Sequence, residues 1–153
     1  MNRAEIATTL RTILSQQLFG ILATQAEAGP HTTIVAFASA DDLETIVFAT
    51  QRETRKYSNL RRETRVSLFI DDRKNNYAAL GEIMGIEIRG NAQELQKGER
   101  EPYELIYNAK HPPLAEFGRN AALVRIHVER YDLVQQFQNV LVLEMNAGQE
   151  EGL

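Results

Sequence analysis

Six basic residues lie close together in the first half of the chain. They fall within fourteen residues, 52–65, and only two carboxylates oppose them. The stretch therefore has a net charge of +4 in a chain whose formal net charge is -4. A local excess of positive charge of this kind can bind an anion such as a phosphate. The six are Arg52, Arg55, Lys56, Arg61, Arg62 and Arg65.

The spacing within this stretch predicts a short helix with two cations in its first turn. Thr54 is a suitable N-cap, and Arg55 and Lys56 follow it directly. Cations are unfavourable at the positive end of a helix dipole, whereas a phosphate there would accept free backbone N–H groups. Thr50 and Thr54 would add hydroxyl donors. Three interpretations stay open from the charge pattern alone: a solvated surface helix, a phosphate site, or a nucleic-acid contact.

Other catalytic patterns are absent from the sequence. The chain has no Cys, and His31, His111 and His127 lack the short spacings of a zinc site. Neither a P-loop, nor a G-x-G-x-x-G, nor a G-x-S-x-G motif is present. We expect His31 to lie in a turn, His111 at a helix end and His127 on a solvent-facing side of a strand. No residue stands out as a general acid or base.

Length and composition predict one globular domain, residues 1–153. The chain is 43% hydrophobic and 25% charged, as in an ordinary folded domain. No apolar run approaches the ~20 residues that span a bilayer, and the N-terminus does not resemble a signal peptide. The net negative charge disfavours nucleic acid and anionic membranes as partners. We therefore expect a cytoplasmic protein with neither partner.

The periodicity predicts a mainly β protein with flanking helices. Helical spacing favours helices near 3–17, 54–63 and 101–110, the last ended by Pro112–Pro113. Alternation and β-branched residues favour strands at 18–25, 31–39, 44–50, 65–71 and 83–95, with two or three more in 121–145. Gly29–Pro30 predicts a turn, 40–43 a hairpin loop, and Gly85 and Gly90 bends or bulges. Six or seven strands joined by short turns favour a closed antiparallel sheet over a Rossmann fold.

Several segments in order resemble one known family. "FATQRETRKYSNLRRETRVSLFI", preceded by "HTTIVAF", resembles the flavin-binding segment of the pyridoxamine 5′-phosphate oxidase-like family of FMN-binding split barrels. "ILATQAEAGPH" resembles the first hairpin of small bacterial members, and "IEIRGNAQEL" the strand that follows. The resemblance covers roughly residues 5 to 96.

The resemblance implies a fold, an assembly and a cofactor. The fold would be a six-stranded antiparallel split β-barrel of Greek-key type, acting as a homodimer with FMN at the interface. Arg55 and Lys56 match the family's phosphate-binding pair, and Thr50 and Thr54 the hydroxyls beside it. The remaining matches are the strand along the isoalloxazine ring and a polar loop that reaches the flavin in some members. These are Thr33, Ile34 and Val35 in the strand, and Asn75 and Asn76 in the loop.

The function that the resemblance implies is FMN-dependent oxidoreduction of a small substrate or electron donor. Where the oxidases carry a flavin-contacting Gln, this chain has Gly85. "VRIH" resembles the oxidases' Arg-x-His substrate motif, but that motif lies close to their C-terminus, whereas "VRIH" lies far from the C-terminus of this chain. We therefore do not expect pyridoxamine phosphate to be the substrate. The alternative is a protein of the same fold that binds flavin, deazaflavin or haem without turnover. A haem-binding protein would need an axial ligand, for which His111 and His127 are the candidates.

Overall fold

The structure, a computed structural model, describes residues 1–145 and contains a closed six-stranded antiparallel β-barrel with flanking helices. The first helix precedes all the strands, and the other three lie in connections between strands. In chain order the elements are α1 (Arg3–Gln16), β1 (Phe19–Ala26), β2 (Gly29–Ser39), β3 (Thr45–Thr50), α2 (Arg55–Arg62), β4 (Arg65–Asp71), β5 (Met84–Glu94), α3 (Glu101–Lys110), α4 (Ala115–Asn120), β6 (Ala122–Gln135) and β7 (Asn139–Glu144). Short 3-10 helices lie at Tyr77–Glu82, Lys97–Glu99 and Pro112–Leu114.

The strand order is that of a Greek key. The sheet runs β3-β2-β1-β4-β5-β6-β7, so that β4 returns beside β1 after the β1–β2–β3 meander. The first half of β6 pairs with β3, from Ala122 opposite Thr50 to His127 opposite Thr45, and this pairing closes the barrel. The second half of β6 pairs with β7, which lies outside the closed ring.

Alternating side chains build the core of the barrel. In β4, Val66, Leu68 and Ile70 are buried while the residues between them face outward. All six residues of β3 are buried, because the barrel interior lies on one side and α3 and α4 lie on the other. The connection between β3 and β4 is α2, whose Tyr57 and Leu60 pack inward. The core therefore fixes α2 against the barrel.

Two details differ from the sequence-based expectations, and a third decides between the two or three strands that were expected in 121–145. The first hairpin turns at Glu27–Ala28, and Gly29, with φ of +125°, begins β2 rather than forming the turn. The 121–145 segment forms two strands, since β6 is long enough to pair with three neighbours. The predicted third helix is followed by α4, because the 3-10 turn at Pro112–Leu114 redirects the chain into a further helical turn.

Candidate functional site

The start of α2 is built by two threonine hydroxyls. The Tyr57 N–H donates to Thr54 Oγ1 at 3.4 Å, and Thr54 Oγ1 donates to the Gln51 carbonyl at 2.9 Å. Thr50 Oγ1 lies 3.0 Å from Thr54 Oγ1. The capping residue predicted from the sequence is therefore the N-cap, and the two hydroxyls lie together at the end of β3.

The first turn of α2 carries two cations and no acid. In α1 and α3 the first turn contains Glu5 or Glu101, as the helix dipole favours, whereas in α2 it contains Arg55 and Lys56. Neither cation makes an ion pair within residues 1–145. Lys56 is half-buried, and this burial lowers the pKa of its amine. The site thus has positive charge that no carboxylate of the described chain neutralises.

A free strand edge adjoins this helix start. β2 pairs with β1 from Gly29 to Ala36, but with β3 only from Phe37 to Ser39. Extending the β2–β3 register by two residues would bring Thr50 beside Val35, at the point where the two strands part. The backbone edge of residues 33–35 is therefore open, and it leads towards α2. The two groups of residues that the sequence predicted separately, 33–35 and 50–56, lie in one region.

The side chains of residues 33–35 point in alternate directions. Val35 is buried in the core at 3% exposure, Thr33 is half-buried, and Ile34 projects outward at 66% exposure. A ligand along this edge would contact backbone groups and the Ile34 side chain.

The loop with Asn75 and Asn76 lies elsewhere. It follows the far end of β4, whose near end follows α2; the seven residues of β4 span about 23 Å at about 3.3 Å per residue. The Asn76 side chain caps a 3-10 helix by accepting from the Ala79 N–H at 2.9 Å. Asn75 is exposed. One chain therefore does not bring the asparagine loop to the start of α2.

A pocket of about 400 Å³ lies between α2 and the β1–β2 hairpin. Arg55, Ser58 and His31 are among the residues that line it. The His31 Nδ1 atom is buried and has no hydrogen-bond partner among the described residues. Sequence reasoning placed His31 in a turn, whereas it lies in β2 opposite Thr24. Its nearness to α2 depends on the hairpin register, which no local pattern reveals.

An exposed apolar patch covers the outer face of β1, β2 and β4. Ile34 pairs with Ile21, which pairs with Phe69, and all three are exposed, as is Phe19. We call Phe19, Ile21, Ile34 and Phe69 the outer apolar patch. The sequence analysis did not single it out, although the unbroken run "LFGIL" is a sign of a strand that is apolar on both faces.

The two other histidines differ in their accessibility. His111 is 4% exposed at the end of α3, where its Nε2 lies 2.7 Å from the Phe37 carbonyl and its ring packs on Tyr107. His127 is exposed on β6. Both positions agree with the sequence-based expectation. The His111 ring is therefore already engaged by the Phe37 carbonyl and Tyr107, whereas the His127 ring is open to solvent.

Within residues 1–145, no group of three acidic or histidine side chains is placed to hold a metal ion. Over the same residues, no helix combines the length and apolarity needed to cross a bilayer.

Comparison with solved structures shows the fold. A heme binding protein from Mycobacterium smegmatis superposes with a TM-score of 0.80 at 18% identity, over 96% of this chain and 60% of that one. This chain thus spans less than two thirds of that protein. A FAD-binding protein from Mesorhizobium loti gives 0.65 at 17% identity, over 82% of this chain and 89% of that one.

A protein from Clostridium acetobutylicum, related to general stress protein 26 and assigned to the pyridoxinephosphate oxidase family, gives a TM-score of 0.70 at 12% identity. The superposition covers 95% of this chain and 98% of the Clostridium acetobutylicum protein. A search of the curated proteins returned no match.

A family model supplies the assignment that these distant structures do not. The model described as pyridoxamine 5′-phosphate oxidase matches residues 6–135, which extends through β6 and well beyond the segment whose resemblance was apparent by inspection. The match includes the open backbone edge of residues 33–35, the N-cap of α2 and the two cations in its first turn. The chain therefore belongs to the pyridoxamine 5′-phosphate oxidase family.

Proposed function

We propose that this protein binds FMN at the interface of a homodimer and uses it in oxidoreduction of a small substrate or electron donor. The observation that carries the proposal is the first turn of α2, where Arg55 and Lys56 have no carboxylate partner in the described chain. A phosphate monoester would neutralise both cations and accept backbone N–H groups of the helix. A cytoplasmic location stays a prediction.

The residues around this helix fit a phosphate. The Thr50 and Thr54 hydroxyls lie 3.0 Å apart, and each would have to turn its hydrogen from the Gln51 carbonyl to donate to an anion. The unpartnered His31 Nδ1 is a further buried polar atom on the neighbouring pocket, where Arg55 also contributes to the lining. A buried polar atom without a partner is uncommon in folded proteins, and a ligand is one explanation for it. The donor set is therefore suited to an anionic tail.

The outer apolar patch supports the homodimer. Phe19 is 58% and Ile34 66% exposed, which is costly for a monomer in water. Ion pairs lie beside the patch on β4 and β5, between Asp71 and Arg73 and between Glu87 and Arg89. An apolar centre with a charged rim is the usual arrangement of an interface. We propose that the second copy contributes its own 75–76 loop to the site, because one chain alone does not bring that loop to the start of α2.

In the proposed mechanism the protein supplies position and electrostatics. Arg55 and Lys56 would hold the phosphate, and the open edge of β2 at 33–35 would offer backbone groups to the flavin. Ile34 and the partner copy exclude water from one side. When bound, the flavin supplies the hydride or electron chemistry, so that the chain itself needs no general acid or base.

Replacing both cations tests the proposal. We expect Arg55→Ala with Lys56→Ala to leave the fold intact and to weaken FMN binding at least a hundredfold, because each charge-assisted hydrogen bond contributes about 1.5–3 kcal/mol. FMN affinity is measured by quenching of flavin fluorescence, and the fold by circular dichroism. The matched control is Arg119→Ala, which removes an exposed arginine of α4 that belongs neither to α2 nor to the outer apolar patch. Undiminished FMN binding by the double variant would refute the assignment.

Haem binding by the same fold is the second candidate. His127 favours it, because its exposed imidazole can coordinate iron whereas His111 is bonded to the Phe37 carbonyl. If the protein binds haem through His127, His127→Ala will shift or abolish the haem absorption band while His31→Ala leaves it unchanged. An unchanged band in His127→Ala would remove this candidate ligand.

A further inference from the structure

A second pocket lies on the other flank of α2. Its volume is about 720 Å³, and it lies between α2, the end of β5 and the first half of β6. The pocket against the β1–β2 hairpin is lined by residues 55, 58, 59 and 62 of α2, whereas this one is lined by residues 57, 60 and 61. It contains neither Arg55 nor Lys56, so that the proposed FMN phosphate contacts do not account for it.

On one side of the second pocket, three side chains are joined to one another by hydrogen bonds. Glu94 accepts hydrogen bonds from the Tyr57 hydroxyl at 2.6 Å and from Arg52 Nη2 at 3.0 Å. The hydrogen bond from Arg52 lowers the pKa of Glu94, which therefore stays ionised at neutral pH. The positive charge of Arg52 is consequently neutralised by Glu94, and Glu94 has little capacity left to pair with other cations.

Two further arginines of the pocket lie near aromatic rings and are not neutralised by a carboxylate. The Arg61 guanidinium lies 5.8 Å from the ring centroid of Tyr57, and that of Arg125 lies 5.9 Å from the ring centroid of Tyr103. Neither arginine has an ion pair with a carboxylate in residues 1–145. A cation–π contact of this length leaves the guanidinium N–H groups free to donate.

The remaining carboxylate of the pocket is engaged with the backbone. Glu99 Oε1 accepts from the Gln96 N–H at 3.1 Å, at the start of the 3-10 helix Lys97–Glu99. Arg61 and Arg125 therefore face the same cavity from α2 and from β6, and neither carboxylate of the lining pairs with them. Two guanidinium groups in one pocket offer enough N–H donors for the two or more oxygens of a carboxylate or phosphate.

We propose that the pocket between α2, β5 and β6 is a second anion-binding site, in which Arg61 and Arg125 bind a small molecule bearing phosphate or carboxylate groups. This inference does not rest on FMN binding. Its ligand is a substrate or effector of low molecular mass rather than a nucleic acid, since the chain is acidic overall and the cavity is local.

The test uses the full chain with the α2 cations already replaced. In Arg55→Gln with Lys56→Gln, any remaining saturable phosphate binding must come from elsewhere. Inorganic phosphate and citrate are titrated separately by calorimetry, with sodium chloride at matched ionic strength as the reference. We expect saturable binding of phosphate, citrate or both, and at least a tenfold loss of affinity when Arg61→Gln and Arg125→Gln are added.

The matched control adds Arg119→Gln instead, which removes an exposed arginine outside this pocket. Each single variant, Arg61→Gln and Arg125→Gln, is also measured, so that a folding defect in the combined variant does not decide the outcome. Phosphate binding alone assigns the site to phosphate esters, and citrate binding alone assigns it to carboxylates. The proposal is overturned if neither anion binds, if chloride produces the same response, or if binding survives the loss of both arginines.

Discussion

Lys56 has opposite effects on folding and on the proposed ligand binding. Its amine is half-buried without a carboxylate partner in residues 1–145, and burial lowers its pKa below the ordinary 10.5. A folded-state pKa that is lowered for a cation means that the charged form opposes folding at neutral pH. The cost is relieved as the pH rises towards 10.5. A bound phosphate would offset it.

Lys56→Met should therefore stabilise the flavin-free protein while weakening FMN binding. We expect the free energy of unfolding at pH 7 to rise by about 0.5 kcal/mol, a small gain because solvent screens the half-exposed amine. FMN affinity should fall about ten- to a hundredfold with the loss of one charge-assisted hydrogen bond. Urea denaturation of the flavin-free protein and FMN titration measure the two effects. A variant that is less stable and binds FMN as tightly would contradict this account of Lys56.

The site residues differ in how far the sequence predicted them. Thr54, Arg55 and Lys56 follow local rules, since capping and charge near a helix start depend on neighbours in sequence. The unpartnered His31 depends on a hairpin register and on how α2 packs, and no local pattern contains either. Thr33, Ile34 and Val35 rest on family resemblance, and the open edge of β2 gives that assignment a physical basis.

At the scale of elements, a bulge between β5 and β6, where Glu129 of β6 is the extra residue, shapes the barrel beside α2. The register between β5 and β6 shifts between Arg89 and Gly90, where a Cβ at residue 90 would overlap the His127 carbonyl oxygen and lie 2.9 Å from Ile126 Cγ2. A bulge increases local twist, which a closed sheet requires. The close backbone approach explains why this position is glycine.

Gly90→Ala should destabilise the fold by roughly 3 kcal/mol, because the backbone of β6 must move to admit a methyl group. The matched control is Gly98→Ala, where a Cβ would meet nothing within 4 Å. Chemical denaturation of both variants measures the difference. Equal stabilities for the two variants would show that β6 relaxes at little cost and that the bulge does not need glycine.

The strands were predictable because their alternation is local, and so was the closed antiparallel sheet that short connections favour. The order of the strands was supplied by resemblance, since Greek-key pairing joins residues far apart in sequence. The position of β7 outside the ring, and the division of β6 among three partners, follow from the length of β6 and its register. Neither is visible in a window of a few residues.

At the scale of the whole molecule, the outer apolar patch predicts self-association. Ile34→Glu would place a carboxylate in the centre of the proposed interface, where it would be desolvated without a partner. We expect the dimer dissociation constant to rise at least a hundredfold and FMN binding to weaken with it. Light scattering coupled to size-exclusion chromatography measures the mass.

Val140→Glu is the control for this variant, because Val140 is 49% exposed on β7 and lies outside the patch. It should leave the dimer unchanged. An Ile34→Glu variant that remains dimeric, or a wild-type protein that is monomeric at micromolar concentration, would show that the patch is not the interface.

The central claim is that the positive charge at the start of α2 binds the phosphate of FMN. The most direct measurement is the visible absorption spectrum of the purified protein, with mass spectrometry of whatever is released on denaturation. We predict a flavin spectrum and release of FMN. A haem band would transfer support to the second candidate function. A colourless protein that does not take up added FMN would contradict the account.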